Sequence, residues 1–223
     1  ILILDKIIAE IGNVRDLMAW GTNEKLLEGH PFRHLVAQPE SKTHPEIWML
    51  GTSNYGAQLA AYLGIPYCFA HFITDGQGMK NAIDLYKSEF RPSKNFNKPI
   101  VNVCLWALTA KTEEEAKYLF ASRAAWKIGR NYGHLGPITD PDNALNIINE
   151  NNWNEQYDFM FKNSIVGETS NTKEKISNLV KTNNVDEIAI LTWCHDEKAR
   201  TRSYELFADQ FKLKAKKSLQ KTC

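Results

Sequence analysis

No stretch of this chain approaches the roughly 18 to 20 uninterrupted apolar residues that cross a bilayer, so a helical membrane span is not expected. A basic-then-apolar leader with a small-residue cleavage site is missing as well, and the expected location is the cytoplasm. Charge of one sign is not in excess. Lys and Arg number 27 against 26 Asp and Glu, and a net charge of +1 asks for neither nucleic acid nor an anionic membrane as partner. Cysteine is sparse: Cys68, Cys104, Cys194 and Cys223 have no metal-ligand spacing, and the first three sit in apolar runs, as reduced structural thiols do. His30, His34 and His44 share one loop, but no acidic or cysteine ligand is spaced beside them, so they read as loop histidines and no metal is expected. An initiator Met is also missing. The chain opens ILILDKII, already inside a helical pattern, and the expectation is that its start is incomplete.

What is present is ordinary for a globular protein. A hydrophobic fraction of 43% over 223 residues is enough to bury a core. The chain reads as one domain over 1–223: helix and loop over 1–44, strand-helix units over 45–211, and a basic tail over 212–223. The tail lysines (Lys212, Lys214, Lys216, Lys217 and Lys221) read as solvated.

In the first segment, Leu4, Ile7, Ile8, Ile11, Val14, Leu17 and Met18 make one apolar helix face. The stretch from Pro45 to Phe69 then shows the organising unit. Ile47 to Leu50 is a buried strand, Tyr55 to Leu63 a short helix with Ser53 or Asn54 as N-cap, Gly64 its stop, and Tyr67 to Phe72 the next strand. The turn Gly51-Thr52-Ser53-Asn54 presents backbone N–H groups at a helix N-terminus, where donors and dipole both favour an anion such as a phosphate.

Further along, a helix is expected over Met79 to Phe90 and a doubly covered strand over Pro99 to Ala107. Thr112 opens a capping box whose helix runs to about Tyr132, acidic at its start and basic near its end. Asp140-Pro141 starts another helix. The segment Ser164 to Gly167 is apolar and too short to assign. A capped helix over Thr169 to Val180, a strand over Asp186 to Thr192 and a helix capped by Asp196, with Ala199, Tyr204, Phe207 and Phe211 facing inward, complete the series. Asp140 and Asp196 are better explained as caps than as general acids, and Asp75 as a loop residue. No side chain stands out as a nucleophile.

Four strands each followed by a helix give an α/β pattern with parallel strands, open to a three-layer sheet or a (β/α)8 barrel. In either, ligands gather at the carboxyl ends of the strands, so Gly51 to Asn54, Ala70-His71, Leu108-Thr109 and Thr192 to His195 are expected to share one face.

Several segments, taken in order, carry a resemblance. They are His30-Pro31-Phe32-Arg33, PEIWMLGTSNYGAQLAAYLGIPYCFAHF from Pro45, Leu85-Tyr86 through Phe90-Arg91-Pro92-Ser93, VGETSNTKEKI from Val166, and Asp186-Glu187 with HDEKARTRSYELFA from His195. Over nearly its whole length the chain resembles the C-terminal part of bacterial luciferase-like monooxygenases, the flavin-dependent LLM class. The resemblance implies a TIM-type (β/α)8 barrel, of which about four C-terminal units are present, that binds reduced FMN and uses O2 to oxidise a small organic substrate.

It also implies a flavin reductase as the source of reduced FMN. The family's phosphate-holding turn maps onto Gly51, Thr52 and Ser53, then Asn54 and Tyr55, with the Ser53 amide the firmest choice. His71 takes the strand-end position near the isoalloxazine, where the luciferase α subunit has a tryptophan. There it either polarises flavin or bonds substrate, or is simply held by a strand-end backbone group.

Half a barrel leaves strand edges and core open, so the expectation is a fragment of a longer gene product or a chain that closes by homo- or heterodimerisation. The alternatives are a non-catalytic luciferase-like partner subunit and an unrelated phosphate-binding α/β enzyme.

Overall fold

The computed structural model describes residues 2–39 and 42–214, without side chains for 2–10. The side chains of Leu4, Ile7 and Ile8, with the lysines beyond Lys214 and Cys223, therefore lie outside what is described. The elements are α1 (Leu2–Gly21), β1 (Met49–Gly51), α2 (Asn54–Leu63), β2 (Tyr67–Phe69), α3 (His71–Thr74), α4 (Met79–Glu89), β3 (Val101–Ala110), α5 (Glu113–Asn131), α6 (Pro141–Glu150), α7 (Asn154–Asn163), β4 (Ile165–Glu168), α8 (Thr169–Asn183), β5 (Glu187–Leu191) and α9 (Glu197–Gln210). This is the expected α/β alternation, with five strands among the described residues where the sequence pattern showed four. The added strand is β4, which the sequence left open.

The residues group into two compact units, Ile1–Cys68 with Asn81–Ile100, and Phe69–Lys80 with Val101–Cys223. In the first, β1 lies beside the start of β2 through the Met49 N–H to Pro66 carbonyl bond of 3.0 Å. Helix α2 begins where Ser53 accepts the Gly56 N–H at 3.2 Å and ends at Gly64, whose φ of 63° only glycine adopts cheaply. A side chain at Gly64 would also place its Cβ 2.4 Å from the Arg91 carbonyl oxygen, so the helix end and the segment after α4 meet backbone to backbone. Tyr86 spans the interior of this unit. Its hydroxyl donates to the Ile65 carbonyl at 3.1 Å and accepts the Ile100 N–H at 3.1 Å.

The second unit is built on β3, buried along most of its length as a doubly covered strand should be. Its first half pairs in parallel with β5, Asn102 opposite Glu187 through Trp106 opposite Leu191. Its second half pairs with β4, Ala107 opposite Ile165 through Ala110 opposite Glu168. Asp186 clasps the strand start: its N–H donates to the Val101 carbonyl at 2.9 Å while its carboxylate accepts the Val101 N–H at 2.8 Å. Trp106, Leu108, Phe120, Ala124, Ile148 and Val166 form the centre of the core between β3, α5 and α6. The caps fall where side-chain chemistry placed them, with Thr112, Asp140 and Asp196 each accepting the N–H three residues on. Three expectations fail. Tyr204 is 39% exposed, its place on the buried face of α9 taken by Ser203, β2 stops at Phe69, and in place of a buried strand over Ile47 to Leu50 the chain forms β1 over Met49–Gly51 with Leu50 56% exposed. Among the described residues no helix is long and apolar enough to cross a membrane.

Candidate functional site

The phosphate candidates lie in the first unit, on the turn between β1 and α2. Gly51 ends β1, and its carbonyl accepts the Tyr67 hydroxyl at 3.2 Å, which anchors the turn from below. A Cβ built on Gly51 meets no atom within 4 Å, so open space lies over the turn. Ser53, Asn54 and Tyr55 are exposed. Ser53 accepts the Gly56 N–H, and a hydroxyl that accepts still has its own proton to donate. No acidic side chain sits in the first turn of α2. The positive end of a ten-residue helix, a spare hydroxyl proton and no competing carboxylate form a donor set that fits a phosphate.

His71 belongs to the second unit, and it is not at a strand end. It is the first residue of the four-residue helix α3, two positions past β2, because the chain turns at Ala70 instead of extending to Phe72. Its ring packs on the backbone of Gly76, where an added Cβ would come within 2.8 Å of Nε2, and Gly76 holds a φ of 86°. Burial pushes the imidazole pKa down; Asp75 works against that shift, and Lys127 and Arg123 reinforce it. At neutral pH the ring is therefore uncharged, with one nitrogen to donate and one to accept.

Around His71 the structure assembles groups that the sequence did not single out. Arg123, on α5, is 1% exposed, and its guanidinium lies 3.9 Å from the ring centroid of Trp106 and 5.9 Å from that of Trp193. Lys127, one turn further on, donates to the Asp75 carboxylate. Arg123 Nη2 reaches the same carboxylate at 3.7 Å, an ion pair too long for a hydrogen bond. Burial lowers the Arg123 pKa to about 10, against the opposing pull of Asp75, so the group stays a cation. Phe72 and Trp126 each meet Trp193 edge to face, with ring centroids 6.4 and 5.4 Å apart. An Arg inside the run Ala-Ser-Arg-Ala-Ala-Trp was the available signal, but basic residues toward a helix end also complement its dipole, and that reading hid it.

The strand-end residues Thr109 and Thr192 take a different part from the one expected. Both are buried, and their hydroxyls are used internally, Thr109 on the Gly167 carbonyl at 3.2 Å and Thr192 on the Ala107 carbonyl at 2.7 Å. They tie strands together and offer no donor to a ligand. Among the described residues no three His, Cys, Asp or Glu side chains gather as a metal site would require, and His30 instead meets Asp16 at 3.1 Å.

No protein-family model matches the chain. A curated relative from Escherichia coli (strain K12), named luciferase-like monooxygenase, is 32% identical over 184 residues, covering 80% of this chain and 53% of that protein. The chain belongs to the luciferase-like monooxygenase family. A second relative is the YceB protein of Bacillus subtilis (strain 168), 29% identical over 215 residues, covering 92% of this chain and 62% of YceB. The crystal structure of apo-MsnO8 shares the fold, with a TM-score of 0.76 at 24% identity, covering 92% of this chain and 60% of MsnO8. This luciferase-like chain thus spans between about half and three fifths of the length of these relatives.

Proposed function

We propose that this chain is an FMN-dependent oxidoreductase of the luciferase-like monooxygenase type, which uses reduced flavin and O2 to oxidise a small organic substrate. Family membership supports the reaction class. The observation that carries the cofactor is the Gly51 to Tyr55 turn, an open, acid-free helix N-terminus with a hydroxyl donor at its cap. Thr52, Ser53 and Asn54 would hold the phosphate through backbone N–H groups, and Ser53 would add its O–H. When bound, reduced flavin supplies the electrons that activate dioxygen. His71, in the second unit and kept neutral by burial, can donate one hydrogen bond and accept another without adding a charge of its own. A flavin reductase would supply reduced FMN, and a homo- or heterodimer in the cytoplasm is the proposed working form.

Fluorescence titration with FMN and with riboflavin tests the reading. The phosphate contacts are expected to make FMN bind at least about tenfold tighter than riboflavin, a difference of about 1.4 kcal/mol. Gly51→Glu has room for its side chain, so the fold is expected to keep its Tm, but the new carboxylate should remove the preference for FMN. Equal affinity for the two flavins, or unchanged FMN binding by Gly51→Glu, would overturn the assignment of this turn. A stably folded chain that binds neither flavin would instead support a non-catalytic partner subunit.

A further inference from the structure

Arg123 is an unusual group to leave where it is. It is fully buried against Trp106, and among the described residues its Nε and Nη1 atoms have no hydrogen-bond partner. Those two nitrogens carry three N–H groups, and a charged donor without an acceptor is among the costlier things a protein interior can hold. Among the described residues the one carboxylate paired with it, Asp75, stands 3.7 Å from Nη2 and instead accepts a hydrogen bond from Lys127. Two cations thus share one acid, with a neutral imidazole beside them. The cluster carries an excess of positive charge.

Asp75 is also poorly fastened for a residue in such a place. Its side chain is 53% exposed, while those of Lys127 and Arg123 are 25% and 1% exposed. Its backbone sits at φ 52°, in the left-handed region, and is followed by Gly76 at 86° and Gly78 at 80°. A residue that ends a four-residue helix and leads into two glycines can turn outward at little cost.

We propose that Arg123 and Lys127 form a binding site for the carboxylate of a small organic acid, and that the Asp75 side chain stands in that place until such a ligand displaces it. The exchange conserves charge: one carboxylate leaves for solvent as another arrives. A planar monoanion matches the group now in place, whereas a phosphate would bring a second negative charge. The half-buried rings of Phe72, Trp126 and Trp193 offer an apolar wall for the rest of the molecule. The inference stands on the second unit alone and does not require flavin. If the chain also oxidises a small molecule as proposed above, that molecule is an acid.

The test is a flavin-free titration of the full chain, followed by tryptophan fluorescence, with hexanoate, hexanamide and inorganic phosphate at constant ionic strength. Hexanoate is expected to give a saturable change that hexanamide and phosphate do not. Asp75→Gly, which suits the positive φ, should bind hexanoate at least about tenfold tighter because the internal competitor is gone, and Arg123→Met should lose the response. Asp75→Asn, which keeps the size and tolerates the left-handed region, carries the same expectation should circular dichroism show Asp75→Gly unfolded. The proposal is overturned by an equal response to hexanoate and hexanamide, by phosphate matching hexanoate, by an absence of tightening when the Asp75 charge is removed, or by hexanoate binding that survives Arg123→Met. None of these outcomes depends on FMN.

Discussion

At the scale of single residues, His71 shows how burial chooses a protonation state. Its pKa in the folded chain lies below the ordinary value of 6.5, and the unfolded chain therefore takes up a proton first as the medium is acidified. Its contribution to stability is complete above the unfolded pKa and is lost as pH falls through about 6.5 and below. Replacing it with Gln is expected to flatten the fall in urea midpoint between about pH 7 and 5, and an unchanged slope in that window would mean that other groups dominate. Asp140 acts in the same direction at lower pH. The backbone and side-chain amides of Asn143 hold its carboxyl below the ordinary carboxylate range, so the two effects separate on the pH axis. The Ser53 cap at the start of α2 was legible in the sequence because a cap and its helix are neighbours in the chain. The surroundings of His71 were not, since Arg123 and Lys127 come from α5 and Trp193 follows β5, segments far from His71 and Asp75 in the chain that no local pattern joins.

At the scale of elements, a side-chain cap made a helix start readable at α2, α5, α6 and α9, while α8, also expected to be capped, begins after Glu168 with no side-chain cap. Thr112 accepts the Glu115 N–H at 3.1 Å, and Glu115 in turn accepts the Lys111 N–H at 3.1 Å, so the start of α5 is fixed by residues within four positions of each other. Thr112→Ala is expected to cost about 1 kcal/mol, read as a lower urea midpoint at an unchanged m value. Helix α7 starts after Trp153, which provides no side-chain cap, and follows an Asn-rich turn whose residues read as a loop. Strand ends were harder. The apolar run from Tyr67 to Phe72 reads as one strand, yet the chain turns after Phe69 into α3, whose first ring rests on a glycine five residues away. Strand β4 covers four residues, and its partner is β3, more than fifty positions earlier, so hydrophobic periodicity had too little length to act on.

At the scale of the whole molecule, the chain passes between its two compact units after Cys68, Lys80 and Ile100. No single cut separates them, and stability and binding are properties of the full chain. The surface also carries apolar side chains that water does not favour: in the first unit Leu50, at the centre of β1, is 56% exposed, and Leu17 and Leu27 are exposed as well. A short strand with an exposed Leu invites pairing with another surface. Sedimentation is expected to show concentration-dependent association, which Leu50→Lys should weaken without lowering Tm. A chain that stays monomeric at every concentration would count against self-association.

The Asp186 clasp has a bearing on how such a protein can change over evolutionary time. Because reciprocal bonds with Val101 set the alignment of β3 and β5 at their amino ends, the register is settled before either strand reaches its far end. Past Thr192, whose hydroxyl still holds the Ala107 carbonyl, the segments leaving the far ends need not contribute to that alignment. They are free to be lengthened, shortened or rewritten for new chemistry while the strands beneath them keep their places.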